Sequence, residues 1–278
     1  MTELIGFAQL HNELQNGHLH NFVSCMKCCD SVYIFDQAST DGSHEIYKKN
    51  GYKVHYNGKN DFYEELRCKQ FLLQWILKEH KEGIILWLDG DEYLDERLHS
   101  KEAILDLFAV PSVDFLFFNH YNLWRSDIYY RTDNKFHGLN GQVSPLWRIK
   151  PNLAFPEEKG LHKSNMPAGL EHGRRVDYSL VHRGFATDDG LIRRFKENFN
   201  RYVEHGEDPW ITMRSIDETG LSVMKVENVE EILPVALRQN DINPRKLPAL
   251  VFDRKREIEI ITKMTINKVY QNAKKWRL

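Results

Sequence analysis

The sequence predicts an α/β fold: a mostly parallel central sheet flanked by helices, with a helical C-terminal extension. Three observations predict it. Apolar runs rich in Val, Ile, Phe and Tyr alternate with segments of helical spacing through the first part of the chain. Residues 84–88 (IILWL) are wholly apolar, as in a strand covered on both faces. From about Glu204 onward, helical segments are broken at Pro209, Pro234, Pro244 and Pro248.

The elements follow in order. Leu4–Leu10 (LIGFAQL) reads as a strand and residues 13–27 as a helix. SVYIF at 31–35 is a strand, 43–50 a short helix and 53–56 another strand. Residues 62–80 have helical spacing, with Phe71, Leu72, Trp75 and Ile76 apolar. Parallel strands joined through helices imply right-handed crossovers. Then come an aromatic strand region at 113–124 and a polar loop at 127–140. Further strands are expected at 143–149 and 178–181, and a helix at 188–202.

Composition narrows the function. The 278 residues are 41% hydrophobic and 28% charged, an ordinary soluble balance. Lys plus Arg is 38 against 40 Asp plus Glu, a net charge of −2, which argues against a nucleic-acid partner. No apolar run reaches the roughly 20 residues of a membrane helix, and MTELIGFAQLHNE has no signal-peptide pattern. A cytoplasmic location is the expectation. The tail at 245–278 is basic, and Ile258, Ile261, Thr265 and Val269 fall near one helical face. Such a helix docks on its own domain, on a partner or peripherally on the inner face of an anionic membrane. Cys25, Cys28, Cys29 and Cys68 include half of a zinc-ribbon spacing, near His18 and His20, with no second CxxC. Reduced, partly buried thiols are expected.

The chemistry collects at strand ends, where open α/β sheets bind ligands. The first strand ends in His11-Asn12-Glu13. The second ends in Asp36, followed by a turn that carries Ser39 and Asp41. The apolar fourth strand ends in Asp89-Gly90-Asp91-Glu92. Carboxylates two apart around a glycine suit a hard divalent ion such as Mg²⁺ that also takes substrate phosphate oxygens. The bland alternative is a turn whose aspartates cap the next segment. Arg67 either faces phosphate or pairs with Glu64 or Glu65.

The series HNE, VYIFDQASTDGS, Arg67 and LWLDGDEYL resembles family 2 glycosyltransferases of GT-A fold, with Gln37 in place of the second aspartate of the turn pair. Leu123-Trp124, Tyr130-Arg131, Asp133, LWRIKPNLAFPEEKGLHKSNMP and LVHRGF, with Lys196 and Tyr202, look like one bacterial branch of that family. The resemblance covers residues 4–202. It implies a catalytic domain over 1–204, with a nucleotide-sugar half to about residue 110 and an acceptor half after it, then the extension at 205–278. It implies sugar transfer from a nucleoside-diphosphate sugar to a saccharide or lipid-linked acceptor hydroxyl, with inversion. Asp36 would sit at the nucleobase and ribose, Asp89 near the ribose or metal, and Asp91 with His182 on Mn²⁺ or Mg²⁺. Arg183, Arg67 or Lys196 would add positive charge at the diphosphate. Inversion needs a carboxylate base; Glu157 and Glu158 come first, Asp133 second. His162 stands before a polar turn much as His182 does, and Trp124, Tyr129, Tyr130, Phe136 and Trp147 mark the acceptor side as sugar-stacking or core residues. Two alternatives are a nucleotidyltransferase on a similar fold and a non-catalytic nucleotide- or carbohydrate-binding module. The first would want a Gly-rich, Arg-containing loop where HNE stands; the second would not need Asp89, Asp91 and His182 intact.

Overall fold

Every residue of LIGFAQL is buried, so this run forms a strand covered on both faces, β1 (Leu4–Leu10). A computed structural model describes residues 2–133, 142–160, 163–251 and 253–275. After β1 come α1 (Leu19–Met26), β2 (Ser31–Gln37), α2 (Ser43–Lys49), β3 (Lys53–Asn57), α3 (Glu65–Glu79) and β4 (Ile84–Trp87). Then follow β5 (Glu92–Leu94), α4 (Lys101–Asp106), β6 (Phe115–Asn122), β7 (Tyr129–Arg131), β8 (Gln142–Arg148) and β9 (Gly173–His182). The chain ends with α5 (Asp188–Glu204), α6 (Trp210–Ile216), β10 (Val223–Lys225), α7 (Val229–Ile232) and α8 (Lys255–Lys275).

The chain divides into two compact units that interleave along the sequence. The first comprises Met1–Asn122, Leu139–Arg183 and Val226–Gln239; the second comprises Leu123–Gly138, Gly184–Lys225 and Asn240–Leu278. This division differs from one cut after residue 204, because β7 pairs antiparallel with the later β10 and the stretch at 226–239 belongs to the first unit.

The first unit is built on an eight-stranded sheet, ordered β3-β2-β1-β4-β8-β6-β9-β5. The β3-β2-β1-β4 half is parallel throughout, as the alternation of strands and helices predicts. β6 and β9 are also parallel, whereas β8 and β5 run antiparallel to their neighbours. On one face Ile5, Phe7, Tyr33, Phe35 and Trp87 pack against Leu72, Leu73 and Ile76 of α3. Each such buried side chain contributes about 1.5–3 kcal/mol of transfer energy. The core thereby fixes the strand ends on which the polar loops stand.

Three local expectations are corrected. The helix expected from residue 13 begins at Leu19, because Asn12 (φ 54°) and Gly17 (φ 78°) turn the chain first. The Glu13 carbonyl then accepts the His18 and Leu19 N–H groups at the helix start. The loop expected at 127–140 contains β7, a three-residue strand paired with β10; residues 134–141 lie outside the described residues. The strand expected at 178–181 is the last part of the ten-residue β9, whose early residues are polar on the exposed face.

In the second unit Arg125, nearly fully buried, binds Asp188 through two hydrogen bonds (2.6 and 2.9 Å) and Glu218 at 2.5 Å. Arg131 packs over the ring of the fully buried Trp124. All four cysteines are free thiols. Among the described residues no helix is long and apolar enough to cross a membrane.

Candidate functional site

Two loops at the carboxyl ends of β1 and β2 are laced together. The Asn12 N–H donates to Ser39 Oγ (2.9 Å), and the Thr40 N–H donates to Asn12 Oδ1 (2.8 Å). The Gln15 N–H donates to the Asp41 carboxylate (2.7 Å), and the His11 ring lies 2.6 Å from the Gln37 carbonyl. Asn12 and Ala38 (φ 57°) both occupy the left-handed region. Asparagine tolerates it, but for alanine it costs about 1–2 kcal/mol. His11, Asn12, Ser39 and Asp41 are thus brought together as the sequence suggested.

Asp36 is fully buried beneath this turn. Its Oδ1 accepts from the Ser39 N–H (2.9 Å), and its Oδ2 lies 2.8 Å from His44 Nδ1. Both oxygens are engaged inside the chain, so Asp36 shapes the turn.

Glu13 joins these loops to the acidic turn after β4. Its carboxylate lies so close to Gly90 that a Cβ there would overlap it. A side chain at position 90 would force the Glu13 carboxylate from its place, which fits a glycine between the two aspartates.

The acidic turn is held from several sides. The Trp87 indole N–H donates to Asp89 Oδ1 (3.1 Å), and the Asp89 N–H donates to the Glu92 carboxylate (2.9 Å). Buried Asp91 has its carboxylate 3.0 Å from His182 Nε2, and its carbonyl accepts the Arg183 N–H (2.8 Å). Glu92 pairs with His182 across β5 and β9, and His182 pairs with Asn122 across β9 and β6. Registered neighbours on adjacent strands point to one face, so these three share a row. His120, two residues before Asn122 on β6, lies 3.8 Å from Glu92.

Crowding buried carboxylates has an electrostatic signature. Burial, reinforced by the charge of Asp89, pushes the Glu92 pKa up to about 8. Burial lowers that of His182, against the pull of Glu92 and Asp89. Among the described residues no three His, Cys, Asp or Glu side chains form a ready-made metal cluster. Asp91 and His182 offer one carboxylate oxygen and one imidazole nitrogen. The carboxylate suits Mg²⁺ or Mn²⁺, with remaining ligands from substrate phosphate and water; the imidazole nitrogen tilts the pair toward Mn²⁺, a transition metal.

Other expected residues have partners of their own. Arg67 is exposed and pairs with Asp61 (2.6 Å) and, more loosely, with Glu64. Glu157 is exposed; Glu158, also exposed, pairs with Lys163 at 3.1 Å. Asp133, in the second unit, binds Arg131 at 2.7 Å and the Ser222 N–H. Trp124 and Trp147 are fully buried and belong to the cores of their units, not to a sugar-stacking wall. His162 and Phe136 lie outside the described residues. Residues not foreseen at the site include Trp87, Lys69, His120 and Asn122. A signal existed for two of them: His120 and Asn122 occupy the buried positions of alternating β6, where apolar residues are the rule.

No family model and no curated protein matches the chain. Among solved structures, it is similar to a cytidylyltransferase from Leptospira borgpetersenii serovar Hardjo-bovis at 15% identity and TM-score 0.29. That match covers 42% of this chain and 54% of the other. It is also similar to a protein described as a glucose-1-phosphate thymidylyltransferase from Bacillus anthracis, at 9% identity and TM-score 0.43, covering 68% and 93%. A third is glucosyl-3-phosphoglycerate synthase from Mycobacterium tuberculosis, solved with Mn²⁺, uridine diphosphate and glucosyl-3-phosphoglycerate, at 14% identity and TM-score 0.27, covering 44% of each chain. The chain thus spans about half the length of the first structure and less of the third. Likenesses at 15% identity or less, with TM-scores no higher than 0.43, assign no role to any residue.

Proposed function

We propose that this protein is a metal-dependent glycosyltransferase that moves a sugar from a nucleoside-diphosphate sugar to an acceptor hydroxyl, with inversion. One observation carries the reading: Asp91 and His182, far apart in sequence, meet at 3.0 Å beside Asp89 at the carboxyl edge of the parallel strands. The sequence resemblance to family 2 glycosyltransferases of GT-A fold supports the same assignment.

Asp91 and His182, with Asp89, are the proposed holders of Mn²⁺ or Mg²⁺. When bound, the ion supplies Lewis-acid stabilisation of the charge that develops on the departing diphosphate. Arg183 is the first proposed cation to add to that stabilisation, because its backbone is tied to Asp91; Arg67 and Lys196 follow. The laced loops bearing His11, Asn12, Glu13, Ser39 and Asp41 form a preorganised floor for the nucleoside, and Asp36 acts there by shaping the Ser39 turn. A carboxylate takes the acceptor proton; Glu158 and Glu157 are the first choices and Asp133 the next. A saccharide or lipid-linked acceptor suits this chemistry. The basic α8 is the proposed peripheral contact with an anionic membrane at its cytoplasmic face; vesicle flotation unchanged by removing residues 254–278 would refute that contact.

Incubation with UDP-, GDP-, dTDP- and CMP-sugars, with and without Mn²⁺, tests the function. Metal-dependent release of free nucleotide is the expected result. Release of pyrophosphate from a nucleoside triphosphate would point to nucleotidyl transfer instead, and tight binding without turnover to a binding module.

A further inference from the structure

The acidic turn needs a positive neighbour. Lys69 of α3 is 1% exposed, so its ammonium is buried in full. A lysine is almost never buried without partners. This one pairs with Glu65 and reaches Asn165 Oδ1 at 2.5 Å. It also donates to the carbonyls of Lys163 (3.3 Å) and Ser164 (3.2 Å). Its Nζ lies 4.8 Å from the centre of the Trp87 ring, a cation–π contact in a dry setting. The same indole donates its N–H to Asp89. A cation over the ring face makes that N–H a stronger donor, because it draws electron density from the ring. The charge of Lys69 is also felt at Glu92, where it opposes the upward pull of burial.

We propose that Lys69 is the resident counter-charge of the acidic turn and a positioning residue that acts on Asp89 through Trp87. One buried ammonium then serves two structures: it fixes the Lys163–Asn165 stretch to α3, and it compensates carboxylates that a bound cation would otherwise have to neutralise alone. The catalytic consequence rests on the proposed transferase function, whereas the electrostatic coupling does not.

A ligand-free double-mutant cycle between Lys69→Met and Asp89→Asn, made in the full chain, isolates that coupling. Lys69→Met lowers the melting temperature by several degrees, and adding Asp89→Asn to it recovers at least half of the loss. In the same variants the Trp87 indole N–H resonance, assigned by its disappearance in Trp87→Phe, moves in Lys69→Met. Should Lys69→Met fail to fold, Glu65→Gln/Lys69→Met removes both charges of the ion pair and serves as the background for the same cycle. Additive melting temperatures together with an unmoved indole resonance would overturn the proposal, leaving Lys69 a simple anchor for the Lys163–Asn165 stretch. Nucleotide release from the sugar-nucleotide panel is read separately: Lys69→Met lowers it at least tenfold and Lys69→Arg restores part of it. A wild-type protein that turns over none of the panel would count against the transferase reading, while the cycle still decides the coupling.

Discussion

Two turns at the same edge of the sheet carry aspartates and use them in opposite ways. The turn after β2 spends Asp36 on itself: the carboxylate is fully buried and holds Ser39 and His44. The turn after β4 crowds Asp89, Asp91 and Glu92 together and balances them with groups from elsewhere in the first unit, among them His182, Trp87 and Lys69. A carboxylate satisfied by its own loop builds the site. A buried carboxylate whose pKa is raised by a neighbouring one, as Glu92 is by Asp89, is destabilising when ionised without a cation, and such arrangements mark where a cation is used.

The comparison breaks most readily at Asp36. Asp36→Ala leaves His44 and the Ser39 turn without their acceptor, and unfolding in urea should show a loss of about 3–5 kcal/mol. A wild-type midpoint would mean that the turn does not depend on it. Gly90→Ala forces the Glu13 carboxylate away from the acidic turn. That overpacking should cost about 1–3 kcal/mol, read in the same titration; an unchanged midpoint would show that the Glu13 carboxylate is not held in place against the acidic turn.

Glu92 sharpens the comparison through pH. Its pKa is raised in the folded state to about 8 from 4.5, so the folded protein binds more protons than the unfolded chain between those values. The stability it contributes is complete below the unfolded value and is lost as pH rises through the folded one. His182, whose folded pKa is depressed, works the other way and loses its contribution only as pH falls below 6.5. Metal-free protein should therefore weaken by about 1–2 kcal/mol between pH 6.5 and 8. Glu92→Gln should flatten that slope in thermal melts across the window; an identical slope in the variant would show that Glu92 is ionised throughout. The smallest effect is expected in the first turn. Ala38→Gly relieves a left-handed alanine and should stabilise by up to about 1 kcal/mol net of the added chain entropy, whereas a destabilised variant would place the strain elsewhere.

The parallel half of the fold was legible because its strands are apolar without interruption and its helices carry apolar stripes. The three-residue strands β7 (YYR) and β10 (VMK) were not, since runs this short in polar surroundings have no periodicity to read. The start of α1 was hidden because Asn12 and Gly17 turn the chain without altering the apolar spacing. At the site, the proximity of HNE, FDQAST and DGDE follows from their places at strand ends, whereas the 3.0 Å approach of Asp91 and His182 needs β5 and β9 to pair. Lys69 was passed over for a physical reason: helical spacing puts position 69 on the stripe of Leu66, Leu72, Leu73 and Ile76, but a lysine there reads as solvent-facing, and only the fold supplies the partners that bury it. His120 differs, because the alternation of β6 already sets it in phase with Leu116 and Phe118 on the buried face.

The central claim is that the turn after β4 binds a divalent ion together with a nucleoside diphosphate. Calorimetric titration of UDP into wild-type protein and Asp91→Ala, each with and without Mn²⁺, tests it most directly. The expected result is UDP binding that requires Mn²⁺ in the wild type and is lost in Asp91→Ala, while circular dichroism shows the variant folded. UDP binding of equal strength without metal, or Mn²⁺-dependent binding that survives in a folded Asp91→Ala, would contradict it.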